Sequence, residues 1–144
     1  MSKGDTFEND LLKLIFTATA IANIADNASS SPLTNLYVAL HVSDPGEAGN
    51  QSNNEAAYTG YARVAVARNA TGWTVTNNNV ANTGNINFPA CNGATGNTVT
   101  HVSVGCNANA NSKLLYSGAL SANLAVSNGI TPVFDAGNLV VSED

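Results

Sequence analysis

The chain has 144 residues and a mass of 14.7 kDa, enough for one domain with its own hydrophobic core. Hydrophobic residues make up 44%, which excludes a disordered chain, while charged residues make up only 10%, well under the roughly 25% of an average soluble domain. The formal net charge is −5, and Lys3, Lys13, Arg63, Arg68 and Lys113 are scattered, which argues against nucleic acid as a partner because phosphate binding needs clustered cations.

Residues 5–26 read as an amphipathic helix. Phe7, Leu11, Leu14, Ile15, Ala18, Ile21, Ala22 and Ala25 recur at spacings of three and four without an intervening Pro or Gly. Asp5 stands where an N-cap belongs, and Glu8 three residues later completes a capping box. The run Asn27-Ala28-Ser29-Ser30-Ser31-Pro32 ends the helix and serves as a hinge. The expected division is therefore a helix with its hinge over 1–32 and a β-domain over 33–144.

From Leu33 onward the period changes to two. Leu36, Val38, Leu40 and Val42 alternate with Tyr37, Ala39, His41 and Ser43, a strand with one buried face. Asp44-Pro45-Gly46 stops it with turn chemistry, and a polar loop runs to about Thr59. Further strands are expected at Tyr61–Arg68, Trp73–Thr76, Ile86–Phe88, Thr98–Cys106, Lys113–Ser117 and Leu139–Ser142, with a weaker candidate at Leu120–Val126. Short strands at this spacing, separated by Asn-, Gly- and Pro-rich turns, predict a mainly β protein: a jelly-roll-like antiparallel sandwich behind one N-terminal helix.

The surface is the unusual part. Asparagine occurs 22 times, and the stretch from Asn69 to Val133 holds a single charged side chain, Lys113. Free monomers usually charge their sheet edges against edge-to-edge pairing; here either loops or partners must cover them.

Signals for chemistry are sparse. His41 and His101 fall at outward-alternating strand positions, where they read as surface or half-buried residues; meeting across a sheet they would make half a metal site, without a carboxylate or cysteine at ligand spacing. Cys91 lies in a turn with nothing nearby to lower its pKa and reads as structural, and Cys91 and Cys106 are expected as free thiols. No nucleophile elbow and no glycine-rich phosphate loop occurs. Asp44, Glu47 and Glu55 form an acidic cluster amid Gly and Asn, yet without the ligand order of a calcium loop. As a glycosidase pair they lack an aromatic platform beyond Trp73 and the four tyrosines. The expectation is a protein that is not an enzyme and has no cofactor. No apolar run reaches the roughly 18 residues of a spanning helix, and Met1 to Glu8 lacks a secretory signal, so neither membrane nor export is expected.

Several stretches carry a resemblance. Leu36-Tyr37-Val38-Ala39-Leu40-His41-Val42-Ser43-Asp44-Pro45-Gly46-Glu47-Ala48-Gly49 resembles a motif in small virion proteins of tailed bacteriophages. Tyr58 to Val64, Gly72-Trp73, Ile86 to Ala90, Lys113 to Gly118, Gly129 to Phe134 and Leu139 to Asp144 continue the same pattern. Members are often labelled tail-fibre proteins, and the chain looks closest to the jelly-roll capsid cement, or decoration, proteins of short-tailed phages. Asn77-Asn78-Asn79 makes it richer in asparagine than that pattern.

The resemblance implies a structural virion protein, made in the host bacterial cytoplasm and bound as a homodimer to the major capsid protein on the exterior of the head. Binding the assembled shell and not its parts would stabilise it by linkage. The helix stripe must bury itself on the chain's own sheet, on a partner or on a second copy. Under this reading Phe7, Leu11, Leu14 and Ile15 form the self-association surface, and the 44–59 loop with Asp44, Glu47 and Glu55 contacts the capsid. The alternative is a tail-associated or fibre-type protein that binds a host surface receptor.

Overall fold

A computed structural model describes residues 5–21, 33–111 and 113–143. The protein is mainly β, with 41% strand against 9% helix among the described residues, so sheet pairing and not helix packing sets its architecture. The elements run α1 (Asp5–Phe16), β1 (Asn35–His41), β2 (Val64–Ala67), β3 (Trp73–Thr76), β4 (Asn79–Asn82), β5 (Ile86–Asn87), β6 (Asn97–Gly105), β7 (Leu114–Val126), β8 (Val133–Phe134) and β9 (Val140–Ser142). They form sheets of order β2-β1-β6-β7, β3-β4-β9 and β5-β8, with the β1–β6, β6–β7, β3–β4 and β4–β9 pairs antiparallel. The chain forms two compact units that interleave in sequence: Met1–Asn35, Ala67–Ile86 and Phe134–Asp144 in the first, Leu36–Val66 and Asn87–Val133 in the second.

In the first unit α1 packs on β3 and β4. The helix ends at Phe16, ten residues short of the expected Ala25–Asp26 end, and the reasons are local. Ala18 turns left-handed at φ 56°. The N–H groups of Thr17 and Thr19 and the Thr17 hydroxyl all converge on the Lys13 carbonyl. The Arg68 guanidinium then donates to the carbonyls of Leu14 and Ile15, a cation satisfying the acceptors that a helix C-terminus leaves open. Ile21 is buried beyond the helix, and Ala22, Ala25 and the hinge lie outside the described residues.

The buried line of α1 is Glu8, Leu12 and Phe16, spaced by four and so on one face. Phe16 meets Trp73 edge to face, with ring centroids 4.8 Å apart at 68°, an arrangement that aromatic quadrupoles favour. Val80 and Leu139 complete this core. The β3–β4 hairpin turns through Asn77 and Asn78 between the paired residues Thr76 and Asn79, with Asn77 at φ 53°. Asparagine is among the few side chains that accept that region in a tight hairpin. Asn82, 2% exposed, ties the segment before β9 to β4. Its amide donates to the carbonyls of Gly84 and Asp135 and its Oδ1 accepts from the Leu139 N–H, at 2.8–2.9 Å.

The second unit is the β2-β1-β6-β7 sheet with its loops. Val38, Leu40, Tyr58, Phe88, Cys91, Val99, Val104 and Val126 fill its core. β1 was expected to bury one face, yet His41 is fully buried, as is Ala39. The polar loop folds back along β1: the Val42 N–H donates to the Asn54 carbonyl and the Ala56 N–H to the Leu40 carbonyl. Both faces of β1 are covered as a result, which corrects the outward position assigned to His41. His101, its register partner on β6, is half-buried. The two segments expected at 113–117 and 120–126 are one strand, β7, and the register break between them falls where the sequence pattern faded.

Candidate interaction surfaces

The acidic loop is an ordered structure built around Arg63. The residue sits just ahead of β2, its side chain only 2% exposed, and pairs with Glu55, which is 19% exposed. The contact is bidentate: Nε to Oε1 at 2.7 Å and Nη2 to Oε2 at 2.8 Å. The same guanidinium donates to the carbonyls of Asn107 (3.0 Å) and Ala110 (3.1 Å) and to the Ser52 hydroxyl (3.2 Å). A rigid planar fork with five donors suits a site where two loops and a carboxylate converge. The Glu55 hydrogen bond raises the Arg63 pKa above its usual value, so the charge is permanent.

From this pair a hydrogen-bonded network runs inward. The Tyr61 hydroxyl donates to Glu55 Oε1 at 2.9 Å and accepts from the Leu40 N–H at 3.0 Å. Burial, reinforced by the Glu55 charge, pushes the Tyr61 phenol above its ordinary range, and it stays protonated. Gln51, fully buried, bridges Arg63 (3.4 Å), the Tyr37 carbonyl (2.9 Å) and the Ser103 hydroxyl (3.2 Å). Glycine is required opposite it: a Cβ on Gly105 would lie 2.1 Å from Gln51 Oε1.

The network ends at His41. Its Nδ1 lies 2.9 Å from the Asn53 carbonyl, which can only accept, so that nitrogen carries the proton. Nε2 then accepts from the Ser103 hydroxyl at 2.7 Å. Burial lowers the His41 pKa from 6.5, outweighing the Asn53 carbonyl and Glu55, which raise it. The unfolded chain therefore binds a proton at His41 more readily than the folded one. The neutral histidine's contribution to stability is full above about pH 6.5, the unfolded value, and is lost as the pH falls through the lower folded value. Urea midpoints measured from pH 7.5 downward are expected to fall on acidification in wild type and to flatten in His41→Gln; an unchanged slope in the variant would overturn the assignment.

The acids expected to act together are thus separated by role. Glu55 is held by Arg63 and Tyr61. Asp44 and Glu47 stay exposed, and Asp44 Oδ1 accepts from the Gly46 N–H at 2.8 Å, an Asx turn with Gly46 at φ 77°. Among the described residues no three of His, Cys, Asp and Glu gather as metal ligands. Among the described residues neither Cys91 (buried) nor Cys106 (half-buried) is in a disulfide. Trp73 and Tyr58 are core residues and offer no exposed aromatic platform. Gln51, Ser103 and Arg63 belong to no recognisable sequence motif; the one available signal is an arginine set among Ala and Val in the 61–68 run.

The helix presents two surfaces. Of the four residues expected to self-associate, Phe7 is 41% exposed and Leu11, Leu14 and Ile15 are half-buried. A shallow polar groove of about 640 Å³ lies between α1 and the β3–β4 turn. Glu8, Asp10 and Lys13 line it from the helix, and Asn77 and Asn78 from the turn. The Asn9 amide donates to the Asn77 carbonyl beside it.

A family model described as "Podophage GP4 fiber I protein gp80" matches residues 3–142. No curated protein matches the chain.

Proposed function

The chain belongs to the podophage GP4 fiber I protein gp80 family, a structural protein family of short-tailed phages, and from that premise we propose that it is a fibre-type, tail-associated virion component that engages the host surface. The observation that carries this reading is the family match over nearly the whole chain, whose description speaks of a fibre and not of a capsid decoration. It favours the receptor-binding alternative over attachment to the major capsid protein.

The role is non-catalytic. His41, Ser103 and Glu55, groups of the types that catalysis uses, are committed to partners in a buried network that fixes loops. The groove beside α1 is the place for receptor contact, since its amides, carboxylates and ammonium group are matched to a hydroxyl-rich ligand such as a surface glycan. Quantitative mass spectrometry of purified particles against the major capsid protein tests the location. A few copies per particle, with purified protein competing against phage adsorption to host cells, is the expected result. Hundreds of copies in fixed ratio to the shell subunit would restore the decoration reading, and absence from particles would sink both.

A further inference from the structure

Glu8 is the odd member of the buried line of α1. It stands one turn before Leu12 and two before Phe16 on the docked face, and only 6% of it is exposed. Carboxylates buried this far are almost always paired. Among the described residues, however, Glu8 has neither a hydrogen-bonding nor an ion-pairing partner. Its place near the positive end of the helix dipole makes the anion tolerable but supplies no directed donor. Nor are its oxygens enclosed: among the described residues Trp73 Nε1 is the one fully enclosed side-chain polar atom that lacks a partner. The Glu8 carboxylate therefore opens onto the groove that it lines between α1 and the β3–β4 turn.

The rest of that groove offers acceptors more than donors. The Asn9 amide is spent on the Asn77 carbonyl, and the Asn78 amide donates to the Glu143 carbonyl at 2.8 Å. Asp10 adds a second carboxylate and Lys13 one ammonium, so two acids against one base leave the groove at −1. A ligand that fits must bring donors and one positive charge. A neutral sugar brings hydroxyls but leaves the buried charge uncompensated, and no aromatic ring lines the groove to stack on it. A bare divalent cation needs more ligands than the site gathers. An ammonium on a sugar ring supplies the charge, up to three donors and the neighbouring hydroxyls. We propose that the groove takes an amino sugar with its nitrogen unacylated, the ammonium pairing with Glu8 and ring hydroxyls meeting Asp10 and the Asn77 side chain. The proposal rests on the reading of this groove as the receptor site, and narrows its ligand from hydroxyl-rich to cationic saccharides. At about 640 Å³ the groove lies within the ~300–1,000 Å³ of small-ligand sites.

The test is calorimetric titration of the full chain at about pH 6, where an amine of this kind is charged. The probes are three disaccharides with one backbone that differ in the group on the second ring carbon: the glucosamine disaccharide, its N-acetylated form and cellobiose. The free amine is expected to bind at least about tenfold tighter than the amide or the hydroxyl, the step that one charge-assisted hydrogen bond is worth. This preference is read in the wild type and needs no variant. Glu8→Gln keeps the size of the side chain and removes its charge; it is expected to erase the preference with an unchanged circular dichroism spectrum. Glu47→Gln, which removes an exposed acid of the other unit, is expected to retain it. Absent binding of the amine, equal binding of all three sugars, a preference that survives Glu8→Gln, or one lost equally in Glu47→Gln overturns the proposal. Phage adsorption separates it from the reading beneath it. If wild type and Glu8→Gln compete equally for the host surface, the receptor reading stands and the amino sugar is wrong. A chain that binds the amine through Glu8 yet does not compete supports the site and refutes the receptor reading alone.

Discussion

Arg63→Ala is expected to lower the unfolding free energy by about 3 kcal/mol, the lower end of the range for removing one partner of a buried ion pair. The lower end applies because Glu55 keeps 19% of its side-chain surface exposed and water can reach the abandoned carboxylate. The loss is not only Coulombic. Without the guanidinium, the buried side chain of Gln51 loses a donor, and an unsatisfied buried acceptor keeps its full desolvation cost; the carbonyls of Asn107 and Ala110 lose the same donor but are exposed and can turn to water. Arg63→Lys retains the charge but not the two-pronged geometry, so it is expected to recover only part of the loss. The double variant Arg63→Met/Glu55→Gln leaves no stranded charge and is expected to be more stable than Arg63→Ala. Urea unfolding followed by circular dichroism measures these three together with the single variants Arg63→Met and Glu55→Gln; a double variant that loses as much as the sum of those two single changes would show that the pair is not a coupled unit.

Phe16→Ala is expected to cost about 3–5 kcal/mol, the usual range for truncating a fully buried phenylalanine. Phe16 is 0% exposed and touches Trp73, itself 0% exposed. The matching substitution Phe7→Ala is expected to cost under about 1 kcal/mol, as surface truncations do, because Phe7 is 41% exposed. The contrast tests which face of α1 is docked. Equal losses, or a larger loss from Phe7, would mean that the helix packs on its other stripe. Trp73 is the sole tryptophan, so its fluorescence reports the Phe16 contact directly. It also distinguishes the units: Arg63 lies in the second and Trp73 in the first. If fluorescence and circular dichroism shift together in Arg63→Ala, the two units unfold as one.

Much of the fold was legible before any coordinates. The strands at 73–76, 86–87 and 97–105 and the turn at Asp44-Pro45-Gly46 follow from alternation and turn chemistry, which are local properties of the chain. β4 was not legible. Asn77-Asn78-Asn79 reads as a loop because asparagine is depleted in strands, yet only the first two form the turn and Asn79 already pairs with Thr76. The cue was the alternation of Trp73-Thr74-Val75-Thr76 resumed by Val80 after a two-residue asparagine turn.

The helix divides in the same way. Its start and amphipathic character are written in the sequence, but Leu11-Leu12 and Ile15-Phe16 are adjacent apolar pairs that generate two overlapping stripes about 100° apart. Periodicity alone cannot choose between them. Docking against Trp73 selected Leu12 and Phe16, and Arg68, 52 positions beyond Phe16 in the sequence, ended the helix by capping Leu14 and Ile15. The buried network was illegible for a related reason. His41, Gln51, Arg63 and Ser103 are polar residues that binary patterning assigns to the surface, and a fully satisfied network becomes possible only when distant segments meet. Local sequence is enough for the class, most strands, the turns and the low charge of the 69–133 stretch, because these depend on neighbours along the chain. The tertiary structure alone decided which helix face is buried, that both faces of β1 are covered, and that Glu55 is a structural anchor, because each depends on a partner brought from far away in the sequence.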